Sequence, residues 1–218
     1  MLSPPQVEAV FKTLARWLPL DQPRPAHIKE DKDLFRALVA CLLSAQSRDE
    51  NTAQAKNALF AMADTPAAIL KLSDEQIVAA IKPAGLYNMK ARNLRRLCAA
   101  VLELADGRIP RDRAGLMRLP GIGRKCADIV LRFSLQQPVI AVDTHIHRLC
   151  NRTGLAEGKT EAQTAKSLES RTPGWALQHG HIRLLEFGKQ ICRSRRPRCE
   201  ECPLTECCEF YRIKQRNY

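Results

Sequence analysis

Apolar residues recur along this chain at the three- and four-residue spacing of amphipathic helices, and no stretch alternates with the two-residue period of a strand. The stripe over residues 34–43 is broad, which predicts a helix buried on most sides. Ser73 and Gln76 form a capping-box pattern before another helix, and Gly85 supplies its C-terminal stop. Other helices are predicted over 4–17, 94–107, 112–118 and 123–135, and from near Thr144, Glu161 and Gly180. The sequence therefore predicts an all-α fold of about ten helices joined by short turns.

The charge balance of the chain identifies the class of partner. Its 218 residues include 35 Lys and Arg but only 23 Asp and Glu, so the net charge is +12. Such an excess favours a polyanionic partner such as nucleic acid. No apolar run approaches the roughly 18 residues of a membrane span, and the N-terminus lacks a signal-peptide pattern. We therefore expect a cytoplasmic protein that makes no membrane contact.

The nine cysteines are not expected to form a disulfide framework, because thiols stay reduced in the cytoplasm and an odd number argues against complete pairing. Four are isolated in apolar stretches and are expected to be small buried residues: Cys41, Cys98, Cys126 and Cys150. The other five crowd together near the end and predict a metal site: Cys192, Cys199, Cys202, Cys207 and Cys208. The spacing is C-x6-C-x2-C-x5-C, or x4 if Cys207 replaces Cys208 as the last ligand. Four thiolates can hold zinc or a cubane iron–sulfur cluster, and the ligand types alone leave both open.

Arginines are concentrated inside the cysteine segment. Arg195, Arg196 and Arg198 follow Arg193, and no acidic residue occurs between Lys189 and Arg198. Such a run can be merely a solvated face. If the segment folds around a metal, the same run becomes a fixed cationic surface that can bind a phosphate backbone.

The segment LPGIGRK at residues 119–125 predicts a helical hairpin. A helix from Asp112 stops at Pro120, and Gly121 and Gly123 permit a tight turn with positive φ angles before a second helix starts. The free backbone N–H groups at that helix start, together with the helix dipole, suit a phosphate oxygen. The alternative is a plain helical hairpin, and the net charge of the chain favours the phosphate site.

Two polar residues near this hairpin are candidates for chemistry. Lys125 lies in the first turn of the second helix, where the helix dipole disfavours the charged ammonium and favours a nucleophilic amine. Asp143, in the segment VDTH, is predicted to cap the next helix through backbone N–H groups and to stay ionised. Each residue also has an ordinary structural explanation, as a solvated lysine and as a helix cap.

Taken together, these motifs resemble the endonuclease III family. The order that carries the resemblance is LPGIGRK, the Asp of VDTH eighteen residues after its lysine, and the cysteine spacing, with LLSAQ at residues 42–46 and GLYNMKA at residues 85–91 upstream. Members are bacterial base-excision-repair DNA glycosylases and AP lyases of the helix-hairpin-helix superfamily. The resemblance covers about residue 30 to Cys208.

The resemblance implies two helical domains, a six-helix barrel over 27–137 and an iron–sulfur domain formed by 1–26 with 138–218. It implies Lys125 and Asp143 as catalytic residues, and Gln46 and Leu86 as residues that enter the duplex where the damaged nucleotide leaves. The ligands of the implied 4Fe–4S cluster are Cys192, Cys199, Cys202 and Cys208. The expected partner is double-stranded DNA carrying damaged bases or abasic sites. DNA contacts are further expected at Gly121 and Gly123 and at the three arginines, in a monomer that works on the bacterial nucleoid.

Two departures and two alternatives qualify this prediction. Cys126 replaces a threonine that is common in the family, and His147 replaces an apolar aromatic residue, so the range of damaged bases stays open. One alternative is a monofunctional glycosylase for mismatched thymine or uracil, whose relatives generally lack a lysine at position 125. The other is a non-enzymatic DNA-binding module supported by a metal, which would not need Lys125 and Asp143 together.

Overall fold

A computed structural model describes residues 1–20, 30–104 and 108–216. Every regular element in these residues is helical and none is a strand, which confirms the all-α prediction. The helices are α1 (Pro4–Trp17), α2 (Asp31–Ser44), α3 (Asp49–Met62), α4 (Pro66–Lys71), α5 (Asp74–Ile81), α6 (Tyr87–Leu102), α7 (Arg113–Arg118), α8 (Arg124–Ile129), α9 (Thr144–Thr153), α10 (Glu161–Glu169), α11 (Gly174–Gln190) and α12 (Glu209–Arg216). No helix in these residues is both long and apolar enough to cross a membrane.

The chain divides into two compact units. One consists of Met1–Pro25 with Gln137–Tyr218, and the other of Ala26–Gln136. The predicted boundary between residues 26 and 27 lies outside the described residues.

Helix α2 is the centre of the Ala26–Gln136 unit. Half of its residues are buried, as its broad apolar stripe predicts: Leu34, Phe35, Leu38, Val39, Cys41, Leu42 and Leu43. The predicted capping box of α5 is present, since Ser73 N–H donates to Gln76 Oε1 (2.8 Å) and Gln76 N–H donates to Ser73 Oγ (3.2 Å). A 3-10 turn, Lys82–Ala84, then leads to Gly85, whose φ of 68° ends the segment.

The unit made from the two chain ends has a separate apolar core. Helix α1 buries the face that its periodicity predicts, consisting of Val7, Val10, Phe11 and Leu14. Trp17 contacts Phe187 of α11 edge to face, with ring centroids 5.0 Å apart. Helices α9 and α11 pack together in this unit and precede the segment of clustered cysteines.

Several boundaries differ from the predictions. Helices α3, α4 and α12 were not predicted, and α3 buries only Ala55 and Leu59, which is too few apolar residues to produce a clear stripe. Helix α6 ends at Leu102, whereas the predicted end at Gly107 lies outside the described residues. Helix α11 starts at Gly174 rather than near Gly180. Gly180 therefore lies within the helix, where its missing side chain lets Ile140 pack closely: a Cβ at Gly180 would lie 2.9 Å from Ile140 Cδ1.

Candidate active site

The hairpin forms as predicted between α7 and α8, with one correction to its backbone. The Ile122 N–H donates to the Leu119 carbonyl (3.1 Å), and Gly121 has a φ of 78°. Gly123 has φ −87° and ψ 177°, which is ordinary extended backbone. The prediction of a positive φ is therefore wrong for Gly123, which is instead the N-cap of α8.

The two glycines of the hairpin differ in how much space surrounds them. A Cβ on Gly121 would lie 3.0 Å from Leu42 Cδ1 and 3.3 Å from Asn93 Cβ, whereas a Cβ on Gly123 would meet nothing within 4 Å. The fold therefore requires glycine at 121 for its φ and its packing. At 123 no neighbouring atom excludes a side chain. Glycine there is a favourable N-cap of α8, and it also leaves the backbone open to a ligand.

We expect Gly121→Ala to lower the free energy of unfolding by about 1–3 kcal/mol, because alanine is strained at positive φ. Gly123→Ala should cost at most about 1 kcal/mol, as a weaker N-cap. It should nevertheless weaken binding to undamaged duplex more than Gly121→Ala does, because its Cβ stands where a phosphate oxygen would approach. Urea denaturation and fluorescence anisotropy measure the two effects. Wild-type affinity in Gly123→Ala would show that the turn is only a helical hairpin.

Lys125 lies in the first turn of α8 and is exposed to solvent. The other polar residues of this turn hold the hairpin together. Asp128 is 1% exposed, and its carboxylate pairs with Arg113 Nε of α7 (2.6 Å) and with Arg124 Nε (3.4 Å). This buried ion pair was not predicted, although Arg124 and Asp128 have the i,i+4 spacing of one helix face. It fixes α8 against α7 and leaves the Lys125 amine accessible to a ligand.

Asp143 caps α9, which confirms the capping prediction. Its Oδ1 accepts hydrogen bonds from the N–H groups of His145 (3.0 Å) and Ile146 (2.9 Å). Its other oxygen, Oδ2, has no hydrogen-bond partner among the residues that the structure describes. The carboxylate is half-buried, so one oxygen is used for structure and the other can receive a proton or face a positive charge.

Gln46 and Leu86 share an unusual backbone conformation. Only four non-glycine residues of the described chain have positive φ, and two of them are Gln46 (51°) and Leu86 (49°). Both side chains are exposed, with Leu86 48% accessible although it is apolar. Strained backbone of this kind is concentrated at functional sites, because the surrounding structure must maintain it. The family resemblance predicts these two residues but not their backbone conformation.

Four cysteines line one cavity in the unit that contains α9 and α11. They are Cys192, Cys199, Cys202 and Cys208, and the walls include Leu149, Arg152 and Phe187. Burial raises the pKa of the Cys202 thiol to about 11, and the neighbouring thiols of the set add to this effect. In the described part of the chain, no three His, Cys, Asp or Glu side chains are arranged to hold a single metal ion. A cubane iron–sulfur cluster differs from a single ion because each of its four irons takes one thiolate, so it needs four thiols around one cavity rather than around one point.

Cys207 lies outside this cavity lining. Its thiol donates to the Leu204 carbonyl (3.4 Å). Burial raises the pKa of Cys207, and the charges that act on this thiol are those of Arg212 and Glu206, not those of other cysteines. Cys208, by contrast, is buried, and both burial and the thiols of Cys192 and Cys199 raise its pKa. The structure thus groups Cys208 with the other three thiols and separates Cys207 from them.

Two arginines of α9 organise the segment that follows Cys192. Arg152 donates from Nη1 to the Arg193 carbonyl (2.6 Å) and to Cys192 Sγ (3.8 Å), and from Nη2 to the Ser194 carbonyl (3.0 Å). Arg148 donates to the carbonyls of Cys192 (2.9 Å) and Gly188 (2.7 Å). Neither residue was predicted, although their four-residue spacing places both on one face of α9.

The arginine run is exposed on this anchored loop. Arg195 and Arg196 make no hydrogen bond or ion pair with other described residues, and Arg196 has a φ of 51°. Arg198 pairs with Glu201 (3.5 Å), which partly neutralises it. The two cations without an acidic neighbour are therefore the ones most available to a phosphate backbone.

We expect the double variant Arg195→Gln/Arg196→Gln to bind every duplex more weakly and to reduce the slope of log K against log salt by up to about 2, one per lost phosphate contact. Arg198→Gln should reduce it less, because Glu201 already competes for that cation. Lys71→Gln/Lys166→Gln removes the same charge from two exposed lysines of α4 and α10 and serves as the control. An unchanged slope in the arginine variant would identify the run as a solvated face.

The two departures from the family pattern occupy different surroundings. His147 Nδ1 lies at hydrogen-bond distance, 2.8 Å, from Thr164 Oγ1, so this side chain links α9 to α10. Cys126 is half-buried, whereas Cys41, Cys98 and Cys150 are buried as predicted. A hydrogen bond between the thiols of Cys41 and Cys126 raises the pKa of Cys41 and lowers that of Cys126, beside Lys125.

Comparison with known proteins agrees with this geometry. Residues 39–173, more than half of the chain, match the family model described as HhH-GPD superfamily base excision DNA repair protein. Endonuclease III of Escherichia coli K12 is 41% identical over 190 residues, covering 87% of this chain and 90% of that protein.

Solved structures of endonuclease III agree with the sequence match. A non-covalent endonuclease III–DNA complex and a trapped covalent endonuclease III–DNA intermediate each match with a TM-score of 0.85 and 32% identity. Each match covers 99% of this chain and all of the compared one. The chain therefore belongs to the helix-hairpin-helix superfamily of base excision DNA repair proteins and, within it, to the endonuclease III family.

Proposed function

We propose that this base-excision-repair DNA glycosylase and lyase removes oxidised pyrimidines from duplex DNA and then cleaves the strand, with Lys125 as nucleophile. The observation that carries the proposal is the exposed Lys125 amine in the first turn of α8, directly after a hairpin whose Gly123 leaves its backbone open. Backbone N–H groups at a helix start bind phosphate, so the hairpin would hold the strand beside the amine. The bacterial nucleoid is then the place of action.

Each chemical step has a residue suited to it. Lys125 Nζ attacks C1′ of the damaged nucleotide, and the bond to the base breaks as the base departs with a proton. Nζ is then bonded to C1′, and cleavage of the C1′–O4′ bond opens the sugar ring: O4′ takes the remaining Nζ proton and an imine forms between Nζ and C1′. Once protonated, the imine makes the C2′ proton acidic, and its loss expels the 3′ phosphate by β-elimination. Water then hydrolyses the imine and releases the protein. The Asp143 Oδ2 oxygen can stabilise positive charge that develops on the sugar and assist proton transfer, because it is not used for capping α9.

Base removal requires that the nucleotide leave the stack, and the gap must be filled. We assign this task to Leu86, an exposed apolar side chain that can act as a wedge, and to Gln46, whose amide can replace lost base-pair hydrogen bonds. Both side chains start from backbone that is already held in one uncommon conformation.

The endonuclease III family is known for a 4Fe–4S cluster. The four thiols lining the α9–α11 cavity match the donor set of such a cluster, and we assign them as its ligands: Cys192, Cys199, Cys202 and Cys208. A bound cluster would link both ends of the arginine loop covalently. The loop already depends on Arg152 and Arg148 for its path, so the cluster would complete a rigid cationic surface for DNA.

The two alternatives are not favoured. A monofunctional mismatch glycosylase has no use for a lysine nucleophile after the hairpin, and the Escherichia coli K12 protein that is 41% identical to this chain is an endonuclease III. A non-enzymatic binding module would not explain an accessible Lys125 in combination with the strained pair Gln46 and Leu86.

Duplexes that each contain one defined lesion provide the direct test. The purified protein should release oxidised pyrimidines and cleave the strand there, and it should cleave at an abasic site without prior base release. Undamaged pyrimidines and a thymine opposite guanine serve as comparisons. Removal of mismatched thymine without strand cleavage would support the monofunctional alternative instead.

A further inference from the structure

Lys90 is the most deeply buried lysine side chain in the described chain and has no role in the proposed chemistry. It is 1% exposed, and its Nζ donates to the carbonyl oxygens of Leu43 (2.7 Å) and Ala84 (2.8 Å). Burial lowers its pKa, because the charged ammonium loses hydration there. Among the described residues, no carboxylate pairs with it.

The two carbonyls belong to the ends of two different segments. Leu43 lies in the last turn of α2, and Ala84 ends the 3-10 turn Lys82–Ala84. Carbonyl groups at helix C-termini lack helical partners and carry partial negative charge, so a cation there is favourable. The single ammonium of Lys90 therefore caps both ends and joins them to α6.

Each capped end leads directly into one of the strained loops. After α2, Ala45 (φ −56°, ψ 120°) and Gln46 (φ 51°) form a type II turn, closed by the Ser47 N–H donating to the Ser44 carbonyl (3.1 Å). After the 3-10 turn, Leu86 adopts its left-handed conformation two residues beyond Ala84. Position i+2 of a type II turn favours glycine or asparagine, so glutamine there must be held by its surroundings.

Stability alone gives a weak reason for a lysine at this position. A buried charge costs desolvation free energy, and an apolar side chain of similar length would fill the same space without that cost. What an apolar side chain cannot do is bond both carbonyls at once and so hold the two loop origins at a set separation.

We propose that Lys90 is a positioning residue, which holds the loops of Gln46 and Leu86 in register so that both side chains enter the duplex together. The proposal rests on the gap-filling role assigned to these two residues above. It predicts that loss of the ammonium impairs the extrusion of a paired nucleotide more than the chemistry that follows.

The test compares one oxidised pyrimidine in two settings, paired in a duplex and placed in an unpaired bubble where extrusion costs little. In single-turnover assays Lys90→Met should slow excision from the paired duplex about tenfold or more, and excision from the bubble less than about threefold. Lys71→Met, an exposed lysine at the end of α4, is the control for the lost charge. If Lys90→Met does not fold, Lys90→Gln keeps N–H donors and should show the same preference at smaller size.

A double-mutant cycle distinguishes positioning from general damage to the fold. In a Gln46→Ala/Leu86→Ala background, Lys90→Met should have little further effect on the paired duplex, because the residues it positions are gone. Equal slowing on both substrates, or full additivity in the cycle, would overturn the proposal. A wild-type protein without activity on either substrate would instead contradict the proposed function itself.

Discussion

Borohydride added during turnover is expected to leave the protein covalently attached to DNA that contains an oxidised pyrimidine or an abasic site. Only a primary amine can form the imine that borohydride reduces, and Lys125 is the amine that the hairpin presents. Lys125→Gln should therefore abolish the trapped product and lower strand cleavage by at least about three orders of magnitude. Denaturing gels measure the trapped product, and strand-cleavage assays on lesion and abasic-site duplexes measure the loss of cleavage.

The loss of trapping reflects lost chemistry only if the variant still binds lesion DNA. Lys125→Arg retains the cation but forms no imine, so it should bind lesion DNA near wild-type strength and still fail to be trapped. Lys71→Gln, an exposed lysine elsewhere in the same unit, should be trapped normally. Mass spectrometry of the wild-type product should place the DNA adduct on Lys125. Normal trapping and cleavage by Lys125→Gln would contradict the mechanism.

Serine at any one of the four cavity cysteines is expected to remove the cluster. The anaerobically purified wild type should contain about four irons per chain and absorb broadly in visible light. Cys199→Ser should lose both signals, because a hydroxyl is a poor replacement for thiolate, and should unfold at lower temperature since metal binding contributes to folding. Iron assay, absorbance and thermal denaturation check these outcomes.

Cys207→Ser is the matched control, since Cys207 is adjacent to a proposed ligand yet lies outside the cavity. It should keep its iron and its visible absorbance. Loss of iron in Cys207→Ser with retention in Cys208→Ser would exchange the two assignments. If the purified protein contained stoichiometric zinc and no iron, the cluster assignment would be wrong and the four thiols would form a tetrahedral zinc site.

Local features of this protein could be predicted well from the sequence. The buried face of α1, the capping box of α5 and the cap formed by Asp143 each depend on residues within one or two helical turns. The hairpin also follows from a short segment, although its second glycine proved to be extended. Helix α3 was not predicted because only Ala55 and Leu59 of its residues are buried.

Other features depend on residues far apart in sequence, and only the tertiary structure decided them. The cysteine spacing by itself did not separate Cys207 from Cys208, because both spacings suit a metal, and only the family resemblance favoured Cys208. Which of the two thiols lines the cavity is a property of the folded chain, and it is Cys208. Nor does any local pattern show that Lys90 reaches Leu43, forty-seven residues away. Periodicity and capping act through neighbours in the chain, so the sequence determines the helices. Burial, strained turns and buried charges depend on packing between helices, and so on the folded chain.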